Sequence, residues 1–244
     1  SDMINIKALG YNAVHIMAQG GMMEGVIYGE HGEILGLSED YKQNFRKFLQ
    51  IIDETETNIA VFLQFHTTQI YEKLGKDAWD YATQFYASEE VCQQYMDLVM
   101  TPILDMLKEV EHRILFLSLG DELENEINDS EIGNHFDNGR LMYGVTQESM
   151  LYFLKAVTDA VKEDLPNVAR TNAGNSSDMT IYENIDFDFQ GRNYYNANSR
   201  APSIEELKAT APTIVTEFGL GDGVVVEDEV WTIKQVQFRD NFIT

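Results

Sequence analysis

Residues 114–126 read ILFLSLGDELENE, and this stretch decides the fold. Its first six residues are mostly apolar, and Gly120, Asp121 and Glu122 follow them. An apolar run of this length that ends at a glycine is typical of a strand buried on both faces of a parallel sheet. The acidic residues are therefore predicted to lie where the strand ends and its loop begins.

A second stretch, residues 212–219, has the same form and reads PTIVTEFG. Residues 213–216 are predicted to form a strand, which places Glu217 at its carboxyl end. Two glutamates at the ends of buried strands are candidates for paired acid–base chemistry. Our interpretation is that Glu122 and Glu217 work together across the mouth of a barrel.

Predicted strands alternate with predicted helices along the whole chain. The apolar runs that predict strands cover residues 13–17, 59–65, 114–119, 168–172, 185–190 and 213–216. This alternation indicates a parallel sheet, either open or closed into a barrel. The strands that end in Glu122 and Glu217 are three apart, roughly 14 Å in an open sheet at ~4.8 Å per strand. A barrel brings strand ends together across its mouth, so the pair favours a (β/α)8 barrel, and residues 1–244 form one domain.

The charge of the chain restricts its partners. The 244 residues include 41 acidic and 17 basic side chains, for a net charge of −24. Such a surface repels phosphate backbones, which argues against nucleic acid and favours a neutral substrate. No apolar run approaches the ~18 residues of a membrane helix. The single cysteine, Cys92, excludes an internal disulfide framework and a cysteine-rich metal site.

These motifs resemble the clan A retaining glycoside hydrolases, the cellulase and β-mannanase type of TIM barrel. PTIVTEFG resembles their nucleophile strand, and ILFLSLGDELENE resembles their acid/base strand. LGYNAVHI, FLQFH and DFDFQGRNYYN, at residues 9–16, 62–66 and 186–196, resemble the second, third and sixth strands. On this mapping the six predicted strands are the second to the seventh. The resemblance therefore implies a barrel domain that lacks its first and eighth strands and is incomplete at both ends.

The resemblance also implies an activity and a set of site residues. We expect hydrolysis of β-linked oligo- or polysaccharides with retention, without a cofactor, in a secreted or periplasmic protein of unspecified oligomeric state. Glu217 is the expected nucleophile, and Glu122 the expected general acid and then general base. Tyr195 is expected to hydrogen-bond the nucleophile, whereas packing against a helix is the alternative for its ring. His15 and His66 are expected to bind sugar hydroxyls, although each also fits a buried histidine with satisfied hydrogen bonds.

Asp121 stands where the resembled enzymes have an asparagine that donates a hydrogen bond to the sugar. An ionised aspartate can only accept, and it raises the pKa of Glu122 by like-charge repulsion. This difference keeps open a catalytically weak relative that binds glycan without cleaving it. A third hypothesis is a carboxylate–metal hydrolase, in which Asp121, Glu122, Glu124 and Glu126 hold Ca²⁺ or Mg²⁺. Solvated acidic side chains at a strand end are the simplest alternative to all three.

Overall fold

The computed structural model describes residues 2–19, 25–63, 84–127, 145–174, 180–195 and 213–219. The helices in chain order are α1 (Asp2–Ala8), α2 (Glu39–Glu54), α3 (Glu89–Tyr95), α4 (Thr101–Lys108) and α5 (Gln147–Asp164). The strands are β1 (Ala13–Met17), β2 (Val26–Tyr28), β3 (Ile34–Leu37), β4 (Asn58–Phe62), β5 (Ile114–Asp121), β6 (Ala169–Ala173), β7 (Gln190–Tyr195) and β8 (Thr213–Gly219). The predicted helices over residues 203–208 and 227–243 lie outside the described residues.

Six of these strands are parallel and follow one another in chain order. One sheet has the order β1-β4-β5-β6, and β7 pairs with β8 in a second ladder. The two ladders meet through a bridge between Gly174 and Arg192 and through the Asn193 N–H, which donates to the Gly174 carbonyl at 2.9 Å. The chain is therefore an α/β protein with a parallel sheet, as the alternation of strands and helices predicts. The described strands do not form a closed barrel.

The two longest helices of the described ranges begin at side chains that cap them. Ser38 accepts a hydrogen bond from the Tyr41 N–H at 3.2 Å and begins α2. Thr146 and Ser149 form a reciprocal capping box at the start of α5, at 2.9 and 3.1 Å. Such caps satisfy N–H groups that have no partner inside the helix. These two helices thus begin at positions that the sequence marks locally.

The core lies between the sheet and the helices that cover it. Ile59, Val61 and Leu117 of the central strands are fully buried, as are Leu104 of α4 and Phe153 of α5. A π-helical turn over Met96–Met100 joins α3 to α4, so that α3 and α4 form one continuous helical segment. No helix in the described ranges is long and apolar enough to cross a membrane.

One predicted strand is wrong in its position. The pattern predicts a strand over residues 185–190, but the structure places β7 at Gln190–Tyr195. Residues 185–189 are irregular, and Asp188 within them bonds to Arg170 of β6. The Asp188 N–H donates to the Arg170 carbonyl at 3.0 Å. The Asp188 carboxylate accepts from the Arg170 backbone N–H at 2.8 Å. The alternation of apolar and acidic residues before Gln190 therefore reflects a segment that packs beside β6 instead of pairing as a strand.

Candidate active site

Glu122 lies at the carboxyl end of β5, as predicted, and adopts a left-handed backbone conformation. Its φ is 50° and its ψ is 39°, a region that residues other than glycine rarely adopt. The Glu122 N–H donates to the Ala173 carbonyl at 2.7 Å, so β6 holds the turn. The Glu122 side chain is 8% exposed. An unfavourable backbone conformation at a buried carboxylate is a common mark of a functional position.

The acidic cluster at the carboxyl end of β5 is buried rather than solvated. Its members are Asp121, Glu122, Glu124 and Glu126. Carboxylates are almost never fully buried unless hydrogen bonds or opposite charges support them. The simple alternative of solvated acids at a strand end is therefore wrong for these side chains.

Asn193 of β7 joins two of these carboxylates. Its Nδ2 donates to Asp121 Oδ1 at 2.7 Å and to Glu122 Oε1 at 3.0 Å. Its Oδ1 accepts a hydrogen bond from Thr216 Oγ1 at 2.8 Å. Asn193 is 4% exposed, so these bonds are made away from bulk water. One amide thus connects β8 with the carboxyl end of β5.

Tyr182 supports Glu124 in the same region. Its hydroxyl donates to Glu124 Oε2 at 2.6 Å. Burial, followed by the negative charge of Glu124, holds the pKa of Tyr182 well above its usual value. Tyr182 therefore stays protonated and remains a hydrogen-bond donor.

Glu217 lies in β8, directly after Thr216. The β7–β8 ladder pairs Asn193 with Glu217 and Tyr195 with Gly219. The backbone of Glu217 is therefore level with the residue that contacts Glu122. The side chains of Glu217 and Tyr195 lie outside the described part of the chain, as does the whole of His66.

His15 lies in β1, where its register partner in β4 is Ala60. Its side chain is exposed, and its ring packs on that of Phe62 with the centroids 3.8 Å apart. The exposed side chain contradicts the buried-histidine alternative for His15, and binding of a sugar hydroxyl stays a prediction. Among the residues described, no group of three or more His, Cys, Asp or Glu side chains is arranged to hold a metal ion.

A cavity of about 460 Å³ lies between the amino ends of α3 and α5. Its lining includes Phe85, Ser88, Thr146 and Tyr152 but none of the predicted site residues. It therefore does not form part of the candidate active site.

The structure adds three residues that the sequence analysis did not select: Asn193, Thr216 and Tyr182. Asn193 and Thr216 are polar residues inside strands at the level of Glu122 and Glu217. Their polarity in otherwise buried strands is a usable signal, because a buried polar side chain requires a partner. Tyr182 gives no such signal, since its contact with Glu124 joins residues 58 positions apart.

Comparison with known proteins gives structural matches only. The sequence matches no protein-family model and no curated protein. A β-mannanase from the blue mussel Mytilus edulis superposes with a TM-score of 0.63 at 15% identity, over 89% of this chain and 70% of the mussel chain. A β-1,4-mannanase from the sea hare Aplysia kurodai gives a TM-score of 0.60 at 15% identity, over 95% of this chain and 78% of the sea hare chain. An exo-β-1,4-mannosidase from an Opitutaceae bacterium gives a TM-score of 0.67 at 14% identity, over 99% of this chain and 44% of the mannosidase chain.

These matches confirm, at the level of fold, the resemblance that the motifs predict. The similar structures are β-mannanases and related glycoside hydrolases, and identities of 14–15% establish shared architecture alone. The chain has the α/β parallel-sheet fold of these TIM-barrel glycoside hydrolases.

Proposed function

We propose that this protein is a retaining glycoside hydrolase that cleaves β-linked glycans in a single (β/α)8-barrel domain. Its six described parallel strands, in chain order, are consistent with the second to seventh strands of such a barrel. The active sites of these barrels lie at the carboxyl ends of the strands. Glu122 directly follows the last residue of β5, and Glu217 lies in β8.

The observation that carries the proposal is the environment of Glu122. A buried carboxylate in a left-handed turn, with a hydrogen bond from Asn193, is held in one orientation at a strand end. A general acid requires such a fixed position, because it must reach the glycosidic oxygen within hydrogen-bond distance. Asn193 is the register partner of Glu217, which supports a role for Glu217 at the same level of the site.

The proposed reaction is a double displacement. A Glu217 carboxylate oxygen attacks the anomeric carbon while the bond from that carbon to the glycosidic oxygen breaks. Glu122 gives its proton to the departing oxygen. Glu122, now ionised, takes a proton from water, and the resulting hydroxide displaces Glu217 with the β configuration restored. In this proposal Tyr195 holds Glu217 ionised, and Asp121, His15 and His66 contact the sugar.

The first substrate to test is β-mannan, because several structurally similar proteins are named as β-mannanases or as a β-mannosidase. A neutral polymer also suits a chain with a net charge of −24. The secreted or periplasmic location remains a prediction from the resemblance.

The two glutamates can be tested separately with aryl β-glycosides and azide. Either Glu122→Ala or Glu217→Ala should lower kcat by about a hundredfold or more on β-mannan. On aryl β-glycosides, azide should restore turnover of the Glu122 variant and give a β-glycosyl azide. It should also restore turnover of the Glu217 variant, but the product should then be an α-glycosyl azide. Glu163→Ala, an exposed change on α5, is the matched control. Normal activity of either active-site variant would exclude that glutamate from the reaction.

A crystal structure with bound glycan gives the distance between the two carboxyl carbons. Retention requires about 5 Å between the carboxyl groups, whereas about 6.5–9.5 Å would indicate inversion. A separation well above ~10 Å would rule the pair out.

Asp121 favours one alternative, a relative that binds glycan without cleaving it. Asp121 is 2% exposed and accepts from Asn193, so Oδ1 is occupied within the protein. Binding of β-mannan by calorimetry, together with no detectable reducing ends, would support this alternative.

If instead the activity is lost in chelator and restored by Ca²⁺ or Mg²⁺, the carboxylate–metal hydrolase is favoured.

A further inference from the structure

A continuous path of side-chain hydrogen bonds runs from β8 to β5. Thr216 Oγ1 donates to Asn193 Oδ1 at 2.8 Å, and Asn193 Nδ2 donates to Asp121 at 2.7 Å and Glu122 at 3.0 Å. β6 separates β5 from β7 in the strand order, so the Asn193 side chain reaches past one strand. We name this path the Thr216–Asn193 relay.

The relay has one chemically sensible orientation. A side-chain amide carries donors only on nitrogen and acceptors only on oxygen. If the amide were turned around, its oxygen would face two carboxylates and its nitrogen would face the Thr216 hydroxyl. In the observed orientation the amide oxygen accepts from Thr216 and the nitrogen offers one hydrogen to each carboxylate. The two carboxylates therefore determine which end of Asn193 faces Glu122, and the Thr216 hydroxyl holds the amide oxygen in place.

This orientation determines what Glu122 can do. Asn193 donates to Oε1, so an acidic proton on Glu122 is directed to the other oxygen. When Glu122 is ionised, the same N–H stabilises its negative charge beside Asp121. The relay thus supports both protonation states that a general acid and base must adopt.

We propose that Asn193 is a positioning residue for Glu122 and that the hydrogen bond from Thr216 holds Asn193 in place. This inference rests on the proposed function. Thr216 directly precedes Glu217 in β8, so the relay ties the strand of the proposed nucleophile to the side chain of the proposed acid.

The test compares two substrates that differ in their need for an acid. Cleavage of β-mannan requires protonation of a poor leaving group, whereas a dinitrophenyl β-mannoside has a leaving group that departs without a proton. The parameter is kcat/KM, because it reports the first displacement. Thr216→Val keeps the shape of the side chain and removes the hydroxyl. We expect kcat/KM to fall about tenfold on β-mannan, the equivalent of one hydrogen bond. We expect little change on the dinitrophenyl substrate.

Asn193→Ala removes the whole amide and should give a larger loss on β-mannan with the same selectivity. Thr158→Val is the matched control, because Thr158 is a buried threonine of α5 that donates to the Leu154 carbonyl at 2.7 Å. Its ratio of activities on the two substrates should equal that of the wild type. If the Asn193 variant does not fold, Thr216→Val alone decides the outcome.

Glu122→Ala separates failure of the inference from failure of the proposed function. Glu122→Ala must itself lose β-mannan cleavage and keep first-displacement activity on the dinitrophenyl substrate. If it does, and neither Thr216→Val nor Asn193→Ala loses β-mannan cleavage selectively, the positioning role is overturned and the proposed function stands. If only Asn193→Ala is selective, the part assigned to Thr216 is overturned. If Glu122→Ala lacks this selectivity, or the wild type cleaves neither substrate, the proposed function and the inference fall together.

Discussion

At the scale of single residues, the backbone of Glu122 opposes stability and suits function. A left-handed conformation costs an L-residue with a side chain roughly 1–2 kcal/mol, whereas glycine adopts it freely. The φ of 50° at Glu122 therefore implies that the surrounding bonds hold the turn in place. Among these bonds is the one from the Glu122 N–H to the Ala173 carbonyl, at 2.7 Å.

Two variants that both lack the carboxylate isolate this backbone effect. Glu122→Gly should be more stable than Glu122→Ala by about 1 kcal/mol, because only the alanine has a Cβ in the left-handed region. The measurement is the free energy of unfolding in urea. Asp159, an exposed residue inside α5, provides the control. There Asp159→Ala should be more stable than Asp159→Gly by about 1 kcal/mol, because alanine favours a helix more than glycine does. An alanine variant at position 122 as stable as the glycine variant would show that the left-handed turn is not populated in solution.

At the scale of elements, β6 and β7 are in close contact at Gly191. A Cβ added at Gly191 would lie 1.9 Å from the Asn172 carbonyl oxygen and 2.8 Å from Thr216 Cγ2. The Gly191 N–H also donates to Asn172 Oδ1 at 3.0 Å. Glycine is required here for close approach rather than for an unusual turn.

Gly191→Ala should therefore destabilise the protein by about 2 kcal/mol or more, in the range of overpacked cores, because the contact is with backbone that cannot yield locally. It should also lower activity, since β7 carries Asn193. The measurements are urea unfolding and kcat/KM on β-mannan. Gly29→Ala is the control, because a Cβ there meets the end of the Glu33 side chain, which can turn away. Equal effects of the two changes would contradict the close packing of β6 on β7.

The difference between β5 and β7 explains how far the sequence predicts this fold. β5 is apolar over most of its length, and the structure buries both of its faces over residues 117–121, whereas Leu115 is exposed. β7 reads QGRNYY, and its position depends on pairing with β8 and on the contact at Gly191. Those are long-range contacts, which a local pattern does not contain. The same reason explains why Glu122 is predictable as a strand-end acid but its bond to Asn193 is not.

The end of α2 is tied to the start of β5 by Asp53. Its carboxylate accepts from Arg113 at 3.0 Å and from His112 at 2.8 Å. The hydrogen bond from Arg113, followed by that from His112, holds the pKa of Asp53 below its usual value. A carboxyl group whose pKa is lower in the folded state stabilises the fold above its unfolded pKa. This contribution is lost as the pH falls through the folded pKa.

Asp53→Asn should therefore make the free energy of unfolding depend less on pH in the acid range. The difference in free energy of unfolding between wild type and this variant should shrink below about pH 4. The measurement is the urea midpoint as a function of pH. Arg113→Gln should remove the larger part of this pH dependence, because His112 still bonds to Asp53, and the double variant should lose no more than Asp53→Asn alone. If the profiles of wild type and Asp53→Asn stay parallel down to low pH, the pair does not form in solution.

At the scale of the whole molecule, the net charge of −24 acts on everything that approaches the active site. Negative charge spread over a protein repels anions and leaves neutral molecules unaffected. Salt screens this repulsion, because the Debye length falls from about 30 Å at 0.01 M ionic strength to about 10 Å at 0.1 M. The proposed substrate is neutral, so this field should select among glycans by their charge without any specific contact.

Kinetics on a charged and an uncharged form of one polymer test this selection. For β-mannan, KM should be the same at ~0.01 M and ~0.1 M sodium chloride, because no long-range force acts on a neutral chain. For carboxymethylated mannan, KM should be higher than for β-mannan at low salt and should fall as salt is added, since screening removes repulsion. The unmodified polymer is the control for effects of salt on the protein itself. An identical salt response of the two polymers would mean that the acidic residues lie too far from the binding cleft to influence it. A KM for the charged polymer that rises with salt would mean instead that the cleft attracts anions, and a neutral glycan would then no longer be the expected substrate.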